Sequence, residues 1–135
     1  MANLVAQFRF QLGYTDQDGN YQTALSTVNS NYLAQNHGSI DVPDMTAAAT
    51  VYNVPFGSIA VDSTCGMITN KTGQPLKLKI NGAAAASQTI PDGGVFAWAN
   101  PAPAGATPVL ALSLETTAIQ AGQGSIAYHT FGDPV

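Results

Sequence analysis

The sequence predicts an all-β protein, an antiparallel β-sandwich or barrel of about eight to ten short strands. Three observations lead to this fold class. Apolar and polar residues alternate in several short segments. Turn clusters rich in glycine, proline, asparagine and aspartate separate these segments at intervals of roughly 8–12 residues. No stretch of about twelve residues has the 3.6-residue apolar period of a helix. The 135 residues fit one domain, 1–135, whose core needs no disulfide or metal.

The clearest predicted element is an N-terminal hairpin. Residues 3–14 alternate, and Phe8, Phe10 and Leu12 are among the apolar even positions. A turn cluster with an Asp-Gly pair occupies 15–20, and a return strand follows over 21–28. We predict a hairpin over 3–28. The sequence allows two roles for this hairpin: it is part of the sandwich, or it is an extension of the sandwich that is used in subunit contacts.

The pattern in the rest of the sequence predicts shorter strands. Residues 29–39 are polar and are expected to be irregular. Within 76–80 the leucines and the isoleucine should face the core, and the two lysines should face solvent, as suits a strand at a sheet edge. Within 109–116 the three leucines should face the core. The predicted strands are 39–42, 46–54, 58–61, 64–69, 76–80, 87–90, 95–99, 109–116 and 125–131.

Charged residues are scarce, at 9% of the sequence against roughly 25% in an ordinary soluble domain. The net charge is −4 and only four residues are basic. Binding to nucleic acid needs a basic surface that replaces phosphate counterions, so we expect no nucleic-acid partner. A surface of mostly neutral polar side chains repels copies of itself weakly and favours association.

Neither a secretory signal nor a membrane span is expected. The first residues have no basic segment followed by an apolar one. The longest charge-free stretch, 93–114, contains Pro101, Pro103 and Pro108. Prolines this close together are incompatible with a spanning helix of about 20 residues. We therefore expect no membrane partner.

The residues that could carry catalysis form no recognisable motif. The only histidines are His37 and His129, and the only cysteine is Cys65, so an internal disulfide is excluded. No nucleophile elbow, zinc-binding helix or phosphate-binding loop is present. A lone strand cysteine is usually a small buried hydrophobic residue. We therefore expect that the chain is not an enzyme and that it has no catalytic, cofactor-binding or metal-binding residues.

Three acidic or asparagine patterns have structural interpretations. Asp16 and Asp18 resemble the start of a calcium loop, but the acidic ligand expected about twelve positions along is missing, which favours a hairpin turn. Asp92 lies in a Pro-Asp-Gly-Gly turn and Glu115 ends a strand, so neither is expected to act in glycoside hydrolysis. Asn70 begins a glycosylation sequon, which matters only in a secreted eukaryotic chain.

Aromatic residues are candidates for binding. Tyr21, Tyr32, Tyr52, Phe96 and Trp98 could line a sugar-binding platform, although aromatics are more often core or interface anchors. Phe96 and Trp98 share a strand face just before a proline-rich loop. The candidate interface residues are Phe96, Trp98, Pro101 and Pro103.

Several segments in the second half of the chain resemble small virion structural proteins of tailed bacteriophages. They are residues 70–82 (NKTGQPLKLKING), 90–96 (IPDGGVF), Asn100-Pro101, the alternating leucines of 110–114 and the final 128–133. The closest likeness is to capsid decoration, or cement, proteins, and it covers roughly residue 49 to the C-terminus. The resemblance implies a jelly-roll-like β-sandwich outside the capsid shell, a homotrimer, no cofactor and no catalysis. It also implies synthesis in the cytoplasm of the host cell.

The expected function is therefore non-enzymatic. The resemblance implies a virion protein on the capsid surface that stabilises the capsid by binding between major capsid protein subunits. A structural component of the phage tail, neck or fibre is the first alternative, because β-sandwiches serve there too. A carbohydrate-binding module that uses exposed aromatics is the second.

Overall fold

The structure is a computed structural model and describes residues 4–99 and 109–134. Within these residues it contains ten β-strands and no helix, which confirms the predicted fold class. The strands are β1 (Leu4–Thr15), β2 (Tyr21–Tyr32), β3 (Ala34–Val42), β4 (Val51–Asn53), β5 (Ile59–Lys71), β6 (Leu76–Ile80), β7 (Gln88–Ile90), β8 (Val95–Ala99), β9 (Leu112–Thr116) and β10 (Gly124–Pro134).

Strands β3–β10 form two four-stranded antiparallel sheets. One has the order β3-β10-β5-β8 and the other the order β4-β9-β6-β7. The pairs are nested: β3 pairs with β10, β4 with β9, β5 with β8, and β6 with β7. Successive strand pairs lie in alternate sheets, as if one long hairpin had been rolled up. This strand order is that of a jelly roll. We call β3–β10 the body.

The core of the body lies between the two sheets. Ile68 and Ile126 of one sheet and Leu76, Leu78 and Leu114 of the other are fully buried, and they belong to one apolar cluster. Leu76 and Leu78 are two positions apart on β6, which is the period of a strand with one face inward. Alternation in the sequence therefore specifies the inward face of the body.

Buried side-chain amides form a hydrogen-bond network at one end of the body. The Asn70 side chain donates to the carbonyls of Gln74 at 2.7 Å and Ile90 at 3.0 Å, and its Oδ1 accepts from the Thr72 amide at 3.0 Å and hydroxyl at 2.6 Å. Gln74 Nε2 donates to Gln120 Oε1 at 2.6 Å. These bonds join three connections of the jelly roll and satisfy polar groups that water cannot reach.

Strands β1 and β2 form a separate two-stranded sheet, which we call the arm. Leu4 pairs with Tyr32 and Thr15 with Tyr21, without a register shift between them. At about 3.4 Å per residue, twelve paired residues give a ribbon about 40 Å long. The arm runs four residues beyond the predicted end of the hairpin at residue 28.

Several predicted strands differ from the observed ones. Residues 29–39 are not irregular, because tertiary pairing overrides their polar composition: 29–32 complete the arm, and β3 pairs with β10. The predicted strand 46–54 shortens to β4. The predicted segments 58–61 and 64–69 are one strand, β5. Strand β6 is not at an edge, since it lies between β9 and β7.

The side chains of β6 have the predicted orientation, whereas the predicted orientation for β9 holds only in part. The two lysines of β6 point away from the core, as predicted, and Lys79 Nζ lies 3.2 Å from Glu115 Oε2 on the neighbouring strand β9. Leu112 and Leu114 are buried, but Leu110 is 53% exposed because β9 begins only at Leu112. The predicted strand therefore started too early.

Candidate functional site

The two faces of the arm differ in character. Residues that pair across the arm share a face, because side chains of antiparallel partners point the same way. One face, the apolar face, carries no charged residue and holds most of the large apolar side chains. It consists of Leu4, Ala6, Phe8, Phe10, Leu12 and Tyr14 on β1, and Gln22, Ala24, Ser26, Val28, Ser30 and Tyr32 on β2.

The root of the apolar face packs on the outer surface of the body. Ala6 and Ser30 are buried, and the ring of Tyr32 packs edge-on against Phe131 of β10 with centroids 4.9 Å apart. The backbone amide of Leu33 donates to the carbonyl of Gly132 at 3.1 Å. These contacts attach the arm to the sheet β3-β10-β5-β8 at one end.

The remainder of the apolar face is exposed. Phe10, Leu12 and Tyr14 are 46%, 61% and 49% exposed, respectively. Large apolar side chains standing together on one surface mark an interaction site in a soluble protein. We call this region the distal arm face and define it as Phe10, Leu12, Tyr14, Gln22, Ala24 and Ser26.

Two hollows accompany the apolar face. A hollow of about 310 Å³ is lined by Phe10, Leu12, Ala24 and Ser26 and by the pair between them, Gln11 and Leu25. A second, of about 300 Å³, lies where the root of the arm meets the body, and residues 6–9 line it with Met67, His129 and Phe131. The first hollow belongs to the arm alone, so the body leaves it open.

The tip of the arm is a tight turn organised by one carboxylate. Asp16 Oδ1 accepts from the backbone amides of Asp18 at 3.0 Å and Asn20 at 2.8 Å, and Oδ2 accepts from Gln22 Nε2 at 2.9 Å. Gly19 adopts φ of 82°, which favours glycine. The Gln22 hydrogen bond, followed by those from the backbone, lowers the pKa of Asp16. The hairpin-turn interpretation of this segment is confirmed.

The histidines and the cysteine share the outer face of one sheet. His37 and His129 are paired in register, and their rings stack with centroids 5.8 Å apart. Cys65 is fully buried beneath the root of the arm, and burial raises the pKa of its thiol, against smaller effects of Ser30 and Thr64. A buried thiol with a raised pKa holds little thiolate at neutral pH, and the thiolate is the nucleophilic form.

Other polar candidates have structural partners. Asp92 Oδ1 accepts from the Gly73 amide at 2.9 Å, and Glu115 is paired with Lys79. Asn70 is fully buried, so the sequon does not present an accessible amide. No group of three or more histidine, cysteine, aspartate or glutamate side chains that could hold a metal occurs in residues 4–99 and 109–134.

The predicted interface aromatics lie against the core. Phe96 and Trp98 stack with ring centroids 5.7 Å apart and pack, partly buried, on the core cluster. Trp98 Nε1 donates to Ser63 Oγ at 3.1 Å, and the indole covers Gly66, where it leaves no room for a Cβ. Their burial supports the core interpretation that the sequence also allowed.

Two further predictions about binding residues have different outcomes. Pro101 and Pro103 lie outside the described residues. The five aromatics considered for a sugar platform are dispersed: Tyr21 is on the arm, Tyr32 is at its root, and Tyr52, Phe96 and Trp98 pack on the core. They do not form one flat surface.

Sequence reasoning found the hairpin but not its exposed face. Alternation in 4–14 indicates an apolar side, and the same pattern is usual in a strand that covers a core. One available signal was the return strand, whose Gln22, Ala24 and Ser26 are too small or too polar to complete a core layer. Such a return strand leaves the large apolar side chains of the first strand exposed, and an exposed apolar patch marks an interaction site.

Comparison with protein-family models, with curated proteins and with solved structures found no match to this chain. Among the described residues, no helix has the length and apolar character needed to cross a membrane.

Proposed function

We propose that this chain is a non-enzymatic structural protein of a tailed-bacteriophage virion, which decorates the capsid and stabilises it by binding between major capsid protein subunits. The observation that carries the proposal is the distal arm face. It is an uncharged apolar surface, carried on a ribbon about 40 Å long, that no described residue of the body covers.

The low charge of the chain supports the same function. Lattice proteins bind many copies of the same neighbours, and repetition converts weak contacts into strong attachment. Only 9% of the residues are charged, so electrostatic repulsion between closely packed copies is weaker than for a protein of ordinary charge content. Jelly rolls serve as viral capsid domains and also as lectins, so the arm and the low charge carry the proposal more than the fold does.

The proposed partners are the major capsid protein and further copies of this chain, for which the resemblance implies a trimer. No cofactor is involved. The proposed location is the capsid surface of the virion, after synthesis in the host cytoplasm. The tail, neck or fibre location differs in copy number, because those structures contain far fewer subunits than a shell.

Quantitative mass spectrometry of gradient-purified particles tests the proposal. We expect this chain at a copy number comparable with that of the major capsid protein, and cryo-electron microscopy should place it on the outer shell. A handful of copies per particle would assign it to the tail, neck or fibre instead. Its absence from particles would overturn a virion role altogether.

A further inference from the structure

We propose that the arm is hinged at Leu33 and that its root lifts reversibly from the sheet β3-β10-β5-β8 while the body stays folded, so that each opening uncovers the thiol of Cys65. The root consists of Ala6, Ser30 and Tyr32, three residues of the apolar face that rest on the body. This movement goes beyond the proposed function and does not depend on it.

Cys65 is buried although it lies on the outer face of its sheet. Ile68, three positions along β5, belongs to the core cluster, so the alternation of the strand turns Cys65 to the opposite face. Met67, two positions from Cys65 on that outer face, is exposed, whereas Cys65 is fully buried. Burial raises the pKa of its thiol, and the nearby Ser30 hydroxyl opposes that rise. The root of the arm therefore shields the thiol from solvent.

The contact between the root and the body is imperfectly matched. Ser30 is buried, yet its Oγ makes no hydrogen bond with any described residue. A buried hydroxyl without a partner destabilises the arrangement that buries it, and release of the root returns this hydroxyl to water. A hollow of about 300 Å³ lies beside the contact, between residues 6–9 and a group formed by Met67, His129 and Phe131. The two surfaces therefore meet without the close packing of a protein interior.

The buried polar groups of the body differ from Ser30 in being satisfied. Asn70, Thr72 and Gln74 all take part in the hydrogen-bond network at one end of the body. Among the buried side-chain nitrogen and oxygen atoms of the described residues, the Ser30 hydroxyl alone lacks a partner. Proteins open locally where packing and hydrogen bonding are weakest. The weakest contact is therefore the one between the root and the body, and it should open before the body unfolds.

The connection between the arm and the body is short and permits the movement. Leu33 alone separates strand β2 from strand β3, and its side chain is exposed. Its amide donates to the carbonyl of Gly132 at 3.1 Å, which attaches this point of the chain to β10. Hinges are commonly a few residues at the ends of such elements. Rotation of the backbone at Leu33 lifts Ala6 and Ser30 while the connection itself stays in place.

Alkylation of Cys65 by iodoacetamide in the native full chain, followed by mass spectrometry, measures the opening. The chain has no other cysteine, and the thiol reacts only when solvent reaches it and it ionises. We expect complete alkylation of the wild-type chain, at a rate below that of a free thiol such as glutathione. Because a local opening exposes little surface, this rate should be nearly independent of urea below the unfolding transition.

Two substitutions at the root should change the alkylation rate in opposite directions. Tyr32→Ala removes the ring that packs edge-on against Phe131 and should accelerate alkylation by about tenfold, whereas Tyr32→Phe keeps the ring and should retain the wild-type rate. Ser30→Ala removes the unpaired hydroxyl and should slow alkylation by at least about fivefold. The matched control, Tyr14→Ala, removes a half-exposed tyrosine at the far end of the same face and should leave the rate unchanged.

The Leu112→Ala variant separates opening of the root from unfolding of the body. We expect it to be alkylated at the wild-type rate, whereas a thiol reached only through global unfolding would react more than about thirtyfold faster in this variant. That acceleration would overturn the inference, as would a rate that both Tyr32→Ala and Ser30→Ala leave unchanged. A wild-type thiol that never reacts below the unfolding transition, or that reacts as fast as glutathione, would overturn it too. Cys65 would then be either permanently covered or not covered at all.

Discussion

The body and the arm are built from the same alternating pattern, yet they use it differently. In the body, alternating leucines such as Leu76 and Leu78 are fully buried because a second sheet covers them. In the arm, Phe10 and Leu12 alternate just as regularly and are about half exposed. Alternation therefore determines which side of a strand is apolar, and only tertiary structure determines whether anything covers that side.

The largest expected difference between the two regions is in the effect of removing a leucine side chain. Leu112→Ala in the body should lower the free energy of unfolding by about 2–5 kcal/mol, because it leaves a cavity between the sheets. Leu12→Ala in the arm should change it by no more than about 0.5 kcal/mol in dilute solution. Urea denaturation followed by circular dichroism measures both.

A loss below about 1 kcal/mol for Leu112→Ala would contradict the assigned register of β9. A loss above that value for Leu12→Ala, at concentrations where the chain is monomeric, would show that the body covers the arm. The pair of substitutions therefore tests the comparison from both sides.

A smaller contrast is expected between two asparagines. Asn70→Ala removes the buried side chain that bonds Gln74, Ile90 and Thr72 and should cost about 1–3 kcal/mol, since the partners lose hydrogen bonds out of reach of water. Asn29→Ala removes an exposed bond to Gln7 on the arm and should cost no more than about 0.5 kcal/mol. Equal losses in urea denaturation would contradict the division into a buried network and a solvated ribbon.

Much of the fold is predictable because its determinants are local. The alternation of 76–80 and the Asp-Gly turn at the tip of the arm carry their structure in neighbouring residues. The strand over 34–42 is not predictable in this way, because a polar sequence such as Gln-Asn-His-Gly becomes a strand only through its pairing with β10. The position of β6 inside its sheet likewise depends on the distant strand β9.

The candidate site was only partly predictable for the same reason. The hairpin follows from its own sequence, and its use as an extension was one of two open alternatives. The choice of Phe96 and Trp98 as interface residues depended on their aromatic character, their shared strand face and the proline-rich loop after them. The position of Trp98 against the core depends instead on Gly66 and Ser63 of the neighbouring strand. Exposure is a property of the whole molecule, so no local pattern separates an aromatic anchor of the core from one at an interface.

The smallest expected effect concerns the tip of the arm and its pH dependence. The folded pKa of Asp16 is lowered from its ordinary value of 3.8, so the ionised carboxylate stabilises the turn above that pH. This stabilisation is lost as the pH falls through the lowered pKa, when Asp16 no longer accepts bonds from Asp18, Asn20 and Gln22. Amide chemical shifts of Asp18 and Asn20, followed by NMR from pH 6 downward, should therefore titrate together with a midpoint below 3.8. The Asp16→Asn variant should lack that transition, and amides of the body such as that of Leu114 should not report it. A midpoint above 3.8 would mean that the carboxylate does not organise the turn.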